Sequence, residues 1–330
     1  MNEINKSNNS LDILVLLRAI AVMMVCFCHF GGALSEGHNL ASLFTYFHDY
    51  GKYGVHVFFV ISGFVIPLSF LRGKYSFNNY PRFLIKRVLR LHPPYLAALL
   101  LTLVVMYLSY SVRQIEFPEN AITVFKSFFY IHAPADNPVF WTLMIEAQYY
   151  IFIGIFYILL IQFPRLSLLL IVPLLLIISQ TFVADYIGLF QFVVFFLVGT
   201  VGFLIYTKNG NYCLNYITLI SLFFYIYFVN DIAAFISSFI SLLLILSVKR
   251  KIPPSIQFLG LISYSIYLIH FPIGIKFINF FKTKIDPSYS WLLLIITLLI
   301  IVLFSWVFYL LFESFSEKLS KKIKYNINTI

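Results

Sequence analysis

Apolar stretches of 18 or more residues recur from one end of this 330-residue chain to the other. Each is long enough to cross about 30 Å of hydrocarbon as a helix. Lipid offers a backbone no hydrogen-bond partners, so a spanning segment must satisfy its own N–H and C=O groups, and a helix does. Hydropathy predicts helices near 13–33, 53–71, 95–112, 140–162, 166–184, 188–206, 212–229, 232–248, 255–277 and 289–312. The chain is 61% hydrophobic and only 11% charged, whereas a soluble domain is about half apolar and a quarter charged. The expected fold class is all-α: a polytopic membrane protein of about ten transmembrane helices. Residues 1–330 are expected to form one membrane domain, with about 313–330 as a cytoplasmic tail and no appended soluble domain.

A net charge of +10 would suit nucleic acid, but the placement of the basic residues argues for topology instead. Ten spans put both termini on one side. That side collects Arg72, Lys74, Arg82, Lys86, Arg87 and Arg90, the run Lys249-Arg250-Lys251, and Lys318, Lys321, Lys322 and Lys324. The other side holds Lys52, Arg113, Lys126, Lys276, Lys282 and Lys284. Positive residues stay cytoplasmic, so both ends are expected inside. The same charge suits anionic headgroups or a polyphosphate.

Lys6 ahead of an apolar stretch resembles the start of a signal peptide, but the stretch is long and contains Arg18. It reads as an uncleaved first span. Cys26, Cys28 and Cys213 fall in or at spans and suggest neither a disulfide framework nor a metal site. Three connecting stretches are long: 34–52 outside, with Glu36, His38, His48 and Asp49; 72–94 inside; and 113–139 outside. In the second, Pro81 and Pro93-Pro94 bracket a basic amphipathic segment suited to the cytoplasmic interface.

Ionisable groups inside spans are costly, and each is a functional candidate. Arg18 and His29 are 11 residues apart in the first span, which at helical pitch leaves them on one face, about 16 Å apart along the axis. Headgroup snorkelling for Arg18 and an interhelical hydrogen bond for His29 are the alternatives. Glu146 and His270 lie at a similar level to His29, on the order of 10 Å below the outer surface. An imidazole with a nearby carboxylate is the usual composition of a general base and its orienting partner. Arg87 and Arg90 share a helix face at the inner boundary, and paired guanidinium forks suit phosphate as well as plain anchoring. Ser62-Gly63, after Gly51 and Gly54, either lets helices approach closely or makes room for a thin substrate chain.

Five segments together resemble acyltransferase family 3, integral membrane O-acyltransferases of bacterial surface glycans. LLRAIAVMMVCFCH (16–29) resembles the first-span motif of Arg, ten residues and His. GKYGVHVFFVISGFVI (51–66) resembles the second-span signature, and KRVLRLHPPY (86–95) the RxxR motif. FWTLMIEAQYY (140–150) and LGLISYSIYLIHFPI (259–273) resemble two further segments, in the family's order. Val15 and Ala19 stand where the family commonly has Asp and Gly, and Asp12 lies six residues before Arg18.

The resemblance implies a multi-pass protein of the cell membrane, the inner membrane in a Gram-negative cell. It implies acetyl-CoA or another acyl-CoA as a cytoplasmic donor, and nothing in the sequence indicates a metal. The implied acceptor is a hydroxyl of an extracytoplasmic cell-surface or lipid-linked glycan, and lipopolysaccharide O-antigen, exopolysaccharide, capsule and a free oligosaccharide are all compatible. On this reading Arg87 and Arg90, with Arg18, hold phosphates, and Ser62 and Gly63 line the donor's path. His29 takes the hydroxyl proton, Glu146 orients His29 or the acceptor, and His270 binds the acceptor or the developing oxyanion. A covalent acyl-His route stays open. The competing class is a transporter or flippase for a lipid-linked sugar, for which the sequence shows no inverted repeat.

Overall fold

The computed structural model describes residues 2–35 and 41–325, with side chains from residue 12 onward. Glu36 and His38 lie outside the described residues, as does the side chain of Lys6. The architecture is all-α. Among the described residues seven helices are long and apolar enough to cross a membrane, eight when one bent pair is taken as a span. The predicted fifth and eighth spans are the ones that fall short, as the apolar helices Pro164–Ile178 and Ile232–Ser247.

In chain order the helices are α1 (Asn2–Leu34), α2 (Ala41–Gly51), α3 (Gly54–Arg72), α4 (Tyr80–Arg113), α5 (Ala121–Phe128) and α6 (Trp141–Gln162). They continue with α7 (Pro164–Ile178), α8 (Leu189–Thr207), α9 (Tyr212–Val229) and α10 (Ile232–Ser247). α11 (Pro254–Leu261), α12 (Ser263–Phe281) and α13 (Pro287–Lys321) complete the chain.

Three sequence boundaries move. The outer stretch before residue 52 is helical from Ala41 and runs almost directly into α3. The basic segment ahead of Pro93-Pro94 is no separate interfacial piece, because α4 continues through both prolines to Arg113. The last helix passes 312 without a break, through a π-helical turn at Tyr309–Glu313. The predicted tail therefore begins inside the bundle.

Two buried prolines leave backbone carbonyls without their usual i+4 donor, and side chains from other helices replace it. Pro67 in α3 frees the Gly63 carbonyl, which accepts from Thr200 Oγ1 of α8 at 3.2 Å. Pro272 in α12 frees the Leu268 carbonyl, which accepts from Asn137 Nδ2 at 3.1 Å. The chain around Pro272 is a π-helix, His270–Ile275, and α11 meets α12 at a bend of 49°. π-turns and inserted side chains are ordinary causes of such irregularity.

α3 and α8 pack backbone to backbone. A Cβ on Gly199 would sit 2.7 Å from the Phe64 amide nitrogen, and one on Gly63 about 3.0 Å from the Phe196 Cα. Small residues permit this approach where lipid gives no hydrophobic drive between helices. The end of α13 returns to the basic region, where Arg82 Nη1 donates to the Tyr325 carbonyl at 3.3 Å. Leu14 and Val15, early in α1, share a cavity wall with Arg87. The start of α1 and the end of α13 thus meet at one basic end of the bundle. At the opposite end Lys282 Nζ donates to the Ala33 carbonyl at 3.1 Å.

Candidate functional site

A cavity of about 290 Å³ opens near the basic end among α1, α3, α4, α6, α12 and α13. Its walls are largely apolar, and Arg18, Ser62, Arg87, Arg90 and Glu146 line it together. These five predicted residues come from four helices; Glu146, expected beside His29, stands here with the arginines. Gly63 does not join them. It faces α8, where its carbonyl accepts from Thr200 and its Cα abuts Phe196. One residue of rotation on α3, about 100°, separates a wall residue from a packing residue.

The three guanidinium groups differ in their partners. Arg90 Nη2 bonds Glu317 Oε1 at 2.9 Å. Arg18 Nε donates to Ser263 Oγ at 3.2 Å. Arg87 lies over the rings of Phe83 and Tyr150, at 5.4 and 5.3 Å, and its Nε is buried without a hydrogen-bond partner. Among the described residues neither Arg18 nor Arg87 has a carboxylate within 4.0 Å. Guanidinium donors in an apolar-walled cavity that no carboxylate engages directly are suited to an anion.

Glu146 accepts a hydrogen bond from Tyr150 of its own helix, one turn along. No hydrogen bond joins it to His29 among the described residues. The carboxylate belongs to the cationic cavity, not to the imidazole pair.

That pair does form. His29 of α1 and His270 of α12 lie with ring centres 5.4 Å apart, and Phe271 packs against His29 at 4.7 Å. His270 is fully buried. Its Nδ1 faces the carbonyls of Tyr267 and Ile266, at 2.8 and 3.2 Å. Carbonyls only accept, so Nδ1 carries the proton and Nε2 presents the basic lone pair. Nε2 is buried without a partner.

Neither imidazole lines the cavity. Tyr267 and Thr142 do, with their hydroxyls 2.6 Å apart. The Tyr267 ring lies 5.8 Å from His270 and its hydroxyl donates to the Val139 carbonyl at 3.0 Å. Tyr267 therefore borders both the cationic chamber and His270, with Thr142 bonded to its hydroxyl.

Glu313 escaped the sequence reading. It is 2% exposed, lines the cavity, and accepts from the Ser265 amide at 3.1 Å and the Ser265 hydroxyl at 2.6 Å. Hydropathy ended the last span one residue too early, which made this intramembrane carboxylate look like part of a tail. Ser263, Tyr264 and Tyr267 were inside the quoted 259–273 segment but carried no charge to single them out.

A family model described as an acyltransferase domain matches residues 8–310. No curated protein and no solved structure matches the chain. The match takes in α1 with Arg18 and His29, the RxxR pair on α4, Glu146 on α6 and His270 on α12. This multi-pass membrane protein belongs to acyltransferase family 3.

Proposed function

We propose that the protein moves an acyl group, acetyl in the first instance, from cytoplasmic acyl-CoA to a hydroxyl of an extracytoplasmic glycan. The observation that carries this is the pair Arg18 and Arg87, both in one cavity wall and both without a carboxylate partner. The basic end faces the cytoplasm under the positive-inside rule. Bound acyl-CoA supplies a thioester-activated acyl group and phosphates of strong negative charge.

Arg87 and Arg18 hold phosphate oxygens at the inner mouth, where Arg87 Nε is a buried donor with no hydrogen-bond partner among the described residues. A chamber of about 290 Å³ sits at the low end of ligand-pocket volumes, roughly 300–1,000 Å³. It suits the slender pantetheine arm, with the nucleotide left at the mouth. Ser62 borders that path. Tyr267 and Thr142 part to let the acyl group reach the imidazoles.

His29 accepts the proton of the sugar hydroxyl, whose oxygen bonds to the acyl carbon as the carbon–sulfur bond breaks. The proton held on His29 then passes to the departing sulfur. His270 Nε2, the unpartnered lone pair beside His29, accepts a hydrogen bond from the acceptor or shares the proton. Glu146, held by Tyr150, balances charge in the chamber.

The test is radiolabelled acetyl-CoA with membranes containing the protein. Label entering a glycan supports the reading. Glycan crossing the membrane without label transfer would make the protein a carrier instead.

A further inference from the structure

A row of aromatic rings crosses the end of the bundle opposite the basic mouth. Tyr46 and Tyr50 of α2 lie 4.5 Å apart, Tyr50 and Tyr53 6.5 Å, and Tyr53 and His56 of α3 5.3 Å. The row continues from His56 to Phe192 of α8 at 6.2 Å and from Phe192 to Trp141 of α6 at 5.2 Å. Tyr46, Tyr50 and Trp141 are 57%, 48% and 37% exposed.

Charged and polar groups are set into this row. Asp231 accepts from the Tyr53 hydroxyl at 2.5 Å and caps α10 by accepting from the Ala234 amide at 2.7 Å. Burial pushes its carboxyl up, but those bonds outweigh burial and hold it below the usual carboxylate range. Lys52 Nζ lies 5.2 Å from the Tyr53 ring centre, and Asp49 is exposed on α2. His56 makes no hydrogen bond among the described residues, and its Nδ1 is buried.

Sequence neighbours of both ends of the row pack on neighbours of the imidazole pair. On α2, Phe47 packs on Phe27 at 5.0 Å and His48 Nδ1 donates to the Cys28 carbonyl at 3.0 Å, on either side of the step to His29. On α6, Trp141 precedes Thr142, whose hydroxyl pairs with that of Tyr267 beside His270.

An interfacial aromatic belt also places Trp and Tyr at this level. Asp231, Asp49 and Lys52 among the rings, however, offer polar partners that a hydrocarbon chain does not use. A sugar ring matches both elements: its C–H faces are apolar and lie flat on aromatic rings, while its hydroxyls take carboxylate and ammonium partners at the edge. We infer that the row of Tyr46, Tyr50 and Trp141, with Asp231 and Lys52 at its edge, is a saccharide-binding platform that holds the acceptor glycan beside His29. Tyr53 and Phe192 support it, the former by fixing Asp231. This inference rests on the acyl-transfer reading only in naming the glycan as acceptor.

Two measurements test it. In detergent-solubilised protein, Tyr50→Leu and Trp141→Leu keep apolar bulk for lipid while removing the flat ring. Each is expected to raise the acceptor KM about three- to tenfold, with the donor KM unchanged and Trp141→Phe close to wild type. Equal acceptor KM in the leucine variants and wild type would overturn the platform. The second measurement does not use catalysis. With Trp291→Phe and Trp306→Phe, Trp141 is the remaining tryptophan, and its emission should shift on adding polysaccharide extracted from the producing cells' envelope. A shift without any acyl transfer would keep the platform and remove the transferase reading. Acyl transfer with no shift and no leucine effect would do the reverse.

Discussion

The imidazoles of His29 and His270 lie 5.4 Å apart, centre to centre, although they are 241 positions apart in the chain. The shared face of Arg18 and His29 on α1 explains the pairing. Arg18 meets Ser263 at the start of α12, and His29 meets His270 further along the same helix. Two helices in contact over that length turn one cationic level and one imidazole level toward a common interface.

His29→Ala is expected to lower acyl transfer by about 10²- to 10⁴-fold, the range a positioned general base supplies. Protein level and thermal stability in detergent should stay near wild type, because His29 makes no hydrogen bond among the described residues. Retained full activity would remove His29 from the proton-transfer role.

Arg87→Lys is not conservative here, because it removes the buried Nε donor and the planar group lying over Phe83 and Tyr150. The donor KM should rise about tenfold or more, the scale of a lost charge-assisted hydrogen bond. Direct binding of CoA, measured by calorimetry, checks it. Arg90→Lys is expected to cost less, since Glu317 already engages that side chain.

Ser62 and Gly63 separate by experiment as they do in space. Gly63→Ala pushes a methyl into the Phe196 backbone and should cut stability by about 1–3 kcal/mol, with the donor KM of the folded fraction unchanged. Ser62→Leu narrows the chamber and should raise the donor KM with little change in thermal stability.

Asn137→Leu removes the donor that replaces the amide missing at Pro272. The buried Leu268 carbonyl is then unsatisfied, at a cost of about 1–3 kcal/mol. Thermal unfolding in detergent measures it. An unchanged midpoint would show that the π-helical turn has another way to satisfy that carbonyl.

Glu119, in the outer segment before α5, accepts from the Ala135 amide and pairs with His132, both at 2.9 Å. Burial pushes its carboxyl up, but Thr123, Ala135 and His132 together hold it below the ordinary value. A depressed carboxyl stabilises the fold above its unfolded pKa and loses that contribution as pH falls through the folded one. The protection of amides in residues 116–137, measured against the intrinsic exchange rate at each pH, should therefore fall on acidification below about pH 5. Glu119→Gln should flatten that dependence, and an identical pH profile in the variant would exclude Glu119 as its source.

Eight of the ten predicted spans are found as helices long enough to cross a membrane, counting the bent α11–α12 pair as one, because span length is largely a local property of an apolar run. The alignment of Arg18 with His29, and of Arg87 with Arg90, was legible for the same reason, being set by the pitch of a single helix. Which faces meet was not. In lipid the side of a helix toward its neighbours is no more apolar than the side toward the bilayer, so the pattern of residues carries little trace of partners. Tertiary packing alone put Ser62 in the chamber and Gly63 against Phe196. It also gave Glu146 to Tyr150 instead of His29, brought Glu313 back from the apparent tail, and set Tyr267 against both the chamber and His270.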